Sequence, residues 1–317
     1  MSTPLRTRKV GVILRVATYK FSDPFWSRVL DGLDAELNKH RYSIAFTLTV
    51  DELGEAHQQH LVAKERVGGF VLLGPVMPVP DSVDPARAVS VEGLEVMRAA
   101  GIQIDAVTIE KRWAMYQIVA HLARLQRRRI GFLGPSPDDD ERGEAFQHAL
   151  LRVGLPYDPA LNMHTAWRVE GGYEATKVVL DRGTLPDALV CASDEIALGA
   201  MQAAREHGLS LPRDLAITGF DDLPFARSVV PALTTVKVPQ YALGTMVARR
   251  IIERITDPHV PIMVQTLPTT LVVRASCGEE ECVLPAAKKA VSSRCGATGS
   301  EQHASDLNTS NLWACSA

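Results

Sequence analysis

Apolar positions along this chain alternate between two spacings. Val10–Leu14 is a short unbroken apolar run, as a strand covered on both faces requires. It is followed by Phe21-Ser22-Asp23-Pro24, where a capping side chain precedes a proline, the usual opening of a helix. Trp26, Val29, Leu30, Leu33 and Leu37 then recur at helical spacing, and Tyr42–Leu48 returns as a strand. A helix near Glu55–Lys64 and a strand at Gly69–Leu73 are predicted next. From Gly74 to Gly101 the period is lost. Pro75, Pro78, Pro80 and Pro85 break any long helix, so a loop with one short strand near Ala88–Val91 is expected. Strand Ala106–Ile109 and helix Ala114–Leu125 resume the alternation.

A second series follows with no polar linker: strand Ile130–Leu133, helices Glu144–Arg152 and Gly172–Leu180, strand Ala188–Cys191, helix Glu195–His207 and strand Leu215–Thr218. Helix Tyr241–Ile255 and short strands near Ile262–Gln265 and Thr270–Val273 close it. Two consecutive βα series of similar length predict an α/β protein with mostly parallel sheets in two similar, closely packed lobes. Beyond Ser276 the chain turns to Ser, Ala, Gly, Glu and Lys without a period, and residues 277–317 read as a disordered or aberrant tail.

Composition narrows the class. The chain has 317 residues, 46% of them hydrophobic and 22% charged, enough apolar mass for a large core. A net charge of −3 argues against a free-standing nucleic-acid binder. The polar start, Met1 to Arg8, and the brief apolar run behind it fit neither a signal segment nor a membrane span, so a cytoplasmic protein without membrane contact is expected. Five cysteines, an odd number, suit a reducing compartment. Cys191 falls in a strand; Cys277, Cys282, Cys295 and Cys315 read as incidental tail thiols, because their spacings match no metal pattern.

Ligands of open α/β sheets bind beyond the carboxyl ends of the strands. Polar and aromatic residues at those points are Asp23, Phe25 and Trp26; Glu110 to Trp113; Arg142; Trp167; Ser193 and Asp194; Asp221 and Asp222. Arg142 stands at a helix N-terminus, where a cation opposes the dipole. That suits a ligand-binding fork, or a surface arginine beside Asp138, Asp139 and Asp140. Asp221 can accept two donors from a polyhydroxyl ligand, or can merely shape a turn. Ser193-Asp194 opens a helix, which capping alone explains. Trp167, Trp26 and, more weakly, Trp113 can stack on a ring or fill core. The run Arg127-Arg128-Arg129 reads as a solvated turn. There is no glycine-rich phosphate loop, metal motif or nucleophile elbow, and no cofactor, metal or catalytic group is expected.

Several of these segments resemble the LacI/GalR family of transcriptional repressors. They are Ser22–Trp26, Asp105–Glu110, Arg128–Pro135, Arg142–Phe146, Ala192–Met201, Leu211–Asp222, Pro231–Val236 and Leu267–Arg274, and together they span about residues 9–276. The resemblance implies two Rossmann-like lobes joined by three crossovers (the type I periplasmic-binding-protein arrangement), here near Gln126, Lys237 and Ile262. The lobes are then 9–126 with 238–262, and 127–237 with 263–276. It also implies a small-molecule effector between the lobes, with Arg142 and Asp221 as ligand-binding residues and Trp167 as the stacking aromatic. Phe25, Trp26, Trp113, Ser193 and Asp194 complete the expected set. Ser193 and Asp23 stand where the family commonly has Asn, which bears on which ligand is bound. Family members open with a helix-turn-helix; here the resemblance starts at about residue 9. The expectation is therefore a sensing domain without its DNA-reading head, contacting DNA only if that module is supplied from outside the chain.

The leading reading is a sugar-sensing regulatory domain, non-enzymatic and a homodimer by family resemblance. A solute-binding protein of a transport system is the alternative, and an enzyme on an α/β scaffold a third.

Overall fold

The computed structural model describes residues 7–14, 23–49, 67–74, 83–137, 140–183, 185–278 and 282–283. The helix expected at Glu55–Lys64 and the prolines at 75, 78 and 80 lie outside them.

The first lobe runs β1 (Lys9–Leu14), α1 (Pro24–Lys39), β2 (Ser43–Thr49), β3 (Gly69–Leu73), β4 (Ala88–Val91), α2 (Leu94–Ala99), β5 (Asp105–Ile109) and α3 (Lys111–Arg124). Asp23 caps α1 as the sequence suggests: its Oδ1 accepts the N–H groups of Phe25 and Trp26 at 2.8 and 3.1 Å. The second lobe runs β6 (Ile130–Gly134), α4 (Arg142–Arg152), β7 (Asn162–His164), α5 (Val169–Asp181), β8 (Ala188–Cys191), α6 (Asp194–Glu206), β9 (Ala216–Thr218) and β10 (Thr235–Lys237). Then come α7 (Gln240–Thr256), β11 (Val264–Leu267), β12 (Thr270–Val273) and β13 (Cys282–Val283).

Six parallel strands in the order β11-β5-β4-β3-β1-β2 form the first sheet, and four in the order β7-β6-β8-β9 the second. A small antiparallel sheet, β10-β12-β13, joins the second through a bridge from Thr218 to Thr234. The chain passes between lobes after α3, where Gln126 adopts φ +64°, and again after β10, because α7 packs on α1 and on the first sheet. The third passage differs from the expectation. β11 pairs with β5, so residues 264–267 belong to the first lobe, and the crossing falls at Pro268–Thr269 instead of near Ile262. An edge strand's sheet is chosen by a distant partner, here β5, and its own residues carry no sign of that choice.

Both lobes use the same helix packing. A Cβ on Gly199 of α6 would lie 1.9 Å from the Val169 carbonyl oxygen of α5, and one on Gly172 2.1 Å from that of Ile196. In the first lobe the matching pair is Gly244 of α7 against Val29 (1.9 Å) and Gly32 of α1 against Tyr241 (2.1 Å). Each helix pair is thus in backbone contact across two glycines. One hydrophobic cluster, from Val10 through Phe146 and Ile217 to Cys277, runs through both lobes. Cys277 is therefore core and not tail. Its thiol lies 3.2 Å from His121 Nε2 and accepts from Thr234 Oγ1 at 3.1 Å, so the ordered second lobe extends past Ser276. Asp105 anchors α7: Arg250 lies 2.8 Å from its carboxylate, Arg254 is also paired with it, and it accepts the Met263 N–H at 2.6 Å.

Candidate functional site between the lobes

The carboxyl ends of β6, β8 and β9 deliver Arg142, Ser193-Asp194 and Asp221 to one side of the gap between lobes. Arg142 is the first residue of α4 and is 5% exposed. Its guanidinium lies over two rings, with its carbon 4.3 Å from the Phe220 centroid and 4.9 Å from that of Trp167. Nη1 donates to the Ala192 carbonyl at 3.1 Å, while the buried Nε has no hydrogen-bond partner among the described residues. Asp140 offsets the unfavourable helix dipole: its Oδ1 accepts the Arg142 N–H at 2.8 Å and sits 3.7 Å from Nε.

Asp221 is 6% exposed and holds φ +114°, a conformation that costs an ordinary residue about 1–3 kcal/mol. Three backbone contacts impose it. Its N–H donates to Val236 O at 2.8 Å, and its carbonyl accepts from Gln240 Nε2 at 2.6 Å and from the Val238 N–H at 3.4 Å. No described residue hydrogen-bonds its carboxylate. Burial pushes the Asp221 carboxyl well above its ordinary range. Arg142 pulls it back, and Asp194, Asp23 and Glu92 add to the rise. Asp23 and Glu92 belong to the first lobe, so this carboxylate lies in the field of both. Glu195, in the first turn of α6, is raised to about 7 by burial and by Asp23 and Glu170.

The other expected residues divide. Ser193 caps α6, accepting the Ile196 N–H at 3.2 Å. Asp194 is wholly buried and committed internally: Oδ2 accepts the Leu223 N–H at 2.7 Å and Oδ1 the Thr235 hydroxyl at 2.5 Å. Burial lifts its carboxyl to about 7 in spite of those two bonds. Asp194 braces the loop that carries Asp221, with both oxygens hydrogen-bonded inside the lobe and none of its surface exposed. Trp167 is 38% exposed beside Arg142, as a stacking platform requires. Phe25 and Trp26 meet edge to face at 4.9 Å and pack partly on the core at the start of α1. Trp113 stacks on Tyr116 at 5.2 Å and lines a groove of about 740 Å³ with Glu110, Lys111, Asp140, Glu141 and Thr266.

Sequence reading missed Phe220, whose ring faces Arg142, and Glu92, whose φ of +60° turns its carboxylate toward Lys111. A non-glycine residue of positive φ leaves no local signature, so nothing in the sequence marks Glu92. Among the described residues no group of His, Cys, Asp and Glu is placed to hold a metal, and no helix is long and apolar enough to cross a membrane.

Residues 119–277, half of the chain, match the family described as periplasmic binding protein-like domain. An HTH-type transcriptional regulator in the aml 5′ region of Streptomyces limosus is 32% identical over 293 residues, covering 87% of this chain and 82% of its own. The transcriptional repressor CytR of Escherichia coli K12 is 28% identical over 262 residues, covering 80% and 76%. The solved complex of the transcriptional regulator CelR with cellobiose superimposes with a TM-score of 0.76 at 26% identity, covering 86% of this chain and 85% of the other. These relatives are transcriptional regulators. A transcriptional regulator of the LacI family from Sanguibacter keddieii superimposes with a TM-score of 0.71 at 25% identity, covering 86% of this chain and all of the other. The chain belongs to the periplasmic binding protein-like family, as the effector-binding domain of a LacI-type regulator.

Proposed function

We propose that this domain senses a small neutral polyhydroxyl effector, a sugar or a close relative of one, held between the lobes by Arg142 and Asp221 with Trp167 against its ring. The observation that carries the reading is Arg142 Nε, buried without a hydrogen-bond partner among the described residues, in the field of the largely buried Asp221 carboxylate, to which no described residue donates. Native proteins rarely leave such groups without a partner, and a hydroxylated ligand supplies donors to one and an acceptor to the other. The CelR relative was solved with cellobiose, which supports this chemical class. Binding would favour the arrangement in which both lobes meet the ligand, and that population shift is the regulatory signal. Operator contact belongs to a helix-turn-helix module outside these lobes, and a cytoplasmic homodimer is part of the same reading. The transport alternative gains no specific support from relatives that regulate transcription.

A thermal-shift panel of cellobiose and common hexoses and pentoses tests the reading. A ligand at one hundred times its Kd stabilises the native state by about 2.7 kcal/mol. Wild type should shift with at least one neutral sugar, and Arg142→Ala and Asp221→Ala should not. Equal shifts in all three proteins would refute the assignment.

A further inference from the structure

Lys111 opens α3 at the end of the first sheet, and three carboxylates surround its ammonium. Glu92 Oε2, in the same lobe, is 2.6 Å from Nζ; Asp140 Oδ2 and Glu141 Oε1, in the other lobe, are 3.3 and 3.6 Å away. The Lys111, Glu92 and Asp140 side chains are 6%, 8% and 10% exposed, so this is a desolvated cluster rather than a surface pair. Burial disfavours the charge, but Glu92 and Asp140 hold the ammonium well above its usual range. Asp140 is shared. Its Oδ2 faces Lys111, while its Oδ1 accepts the Arg142 N–H and lies beside Arg142 Nε. Buried charges therefore run unbroken from the first lobe to the arginine of the candidate site.

We propose that Lys111 is an interlobe latch that holds the lobes together through Asp140 and Glu141 and, through Asp140, positions the guanidinium of Arg142. When the lobes part, Lys111 keeps Glu92, whereas Asp140 and Glu141 lose a cation. The closed arrangement is the one in which these charges are matched. The Trp167 and Phe220 rings lie 4.9 and 4.3 Å from the Arg142 guanidinium carbon and Nη1 is bound to Ala192, while Asp140, 3.7 Å from Nε, is the carboxylate paired with its Nε edge. Lys111 is thus a positioning residue. Only this positioning half rests on the reading that Arg142 meets the effector.

The test uses the full chain without ligand, so its result stands whether or not the effector assignment holds. Asp140→Asn keeps an acceptor for the Arg142 N–H and removes the charge that faces Lys111. In solution scattering, folded Asp140→Asn and Lys111→Met should have a larger radius of gyration than wild type, and Lys111→Arg should match wild type. Reductive methylation read by peptide mass should modify Lys111 roughly tenfold faster in Asp140→Asn, a coupling of ordinary size. The Arg142 Nε–H resonance, assigned by its loss in Arg142→Lys, should move in both variants. Wild-type scattering from Asp140→Asn, or wild-type labelling of Lys111 as fast as that of exposed Lys39, would overturn the latch. An unmoved Arg142 signal would overturn the positioning. If Lys111→Met does not fold, Asp140→Asn carries the test alone.

Discussion

Thr235 Oγ1 donates a 2.5 Å hydrogen bond to Asp194 Oδ1, tying the first turn of α6 to the strand that leaves the second lobe. This carboxylate titrates from 3.8 when unfolded to about 7 when folded. The folded state therefore binds the extra proton, and stability contributed by this group falls as pH rises from about 4 to 7. Asp194→Asn keeps the size and one acceptor, so its stability should decline less over that window, by on the order of a few kcal/mol. Urea unfolding at pH 4.5 and 7.5 checks this; equal slopes in both proteins would show that Asp194 is ionised throughout.

Effector affinity should rise with pH. The Asp221 carboxyl, raised by burial, accepts hydroxyl donors from both oxygens once it ionises. Calorimetric titration of the best sugar from pH 5 to 8 should show tightening in wild type, and a flat, weaker response in Asp221→Asn. A flat wild-type profile would mean that Asp221 is ionised over the whole range or makes no ligand bond.

Helix pairing through glycine is a sharp requirement. Gly199→Ala and Gly244→Ala each drive a methyl to 1.9 Å from a backbone oxygen, so the paired helices must separate. Each should cost about 1–3 kcal/mol or more in chemical unfolding, despite alanine's better helix propensity. A change of sign would show that the helices part freely.

Asp105 should matter more for stability than for binding. Its buried carboxylate faces Arg250 and Arg254. Asp105→Ala leaves two arginines without it, and the expected loss is about 3–5 kcal/mol in unfolding free energy. Arg250→Met with Asp105→Leu should recover part of that loss, because apolar groups of similar volume can replace a buried ion pair.

Much of this architecture was legible in the sequence, and the exceptions have physical causes. Strands Gly69–Leu73, Ala88–Val91, Ala188–Cys191 and Thr270–Val273 fall where their apolar runs place them, because burial on both faces leaves few polar interruptions. Arg142 was readable as a cation that opposes a helix dipole, and the structure puts it at the start of α4. The three-residue β7 was not readable; Asn162–His164 carries no strand period. Nor was the split between Asp194 and Asp221. Both follow strands, and the Thr235 hydroxyl of β10 and the Leu223 N–H, each distant in sequence, commit Asp194 internally, while no described residue hydrogen-bonds the Asp221 carboxylate. The Lys111–Asp140 contact joins two lobes across a crossover, so no local pattern announces it.

A crystal structure of the domain with the best sugar of the thermal-shift panel tests the central claim most directly. Ligand oxygens should lie within hydrogen-bonding distance of both Arg142 Nε and the Asp221 carboxylate, with the Trp167 ring against the sugar. Ligand density elsewhere, with both groups still unpaired, would contradict it.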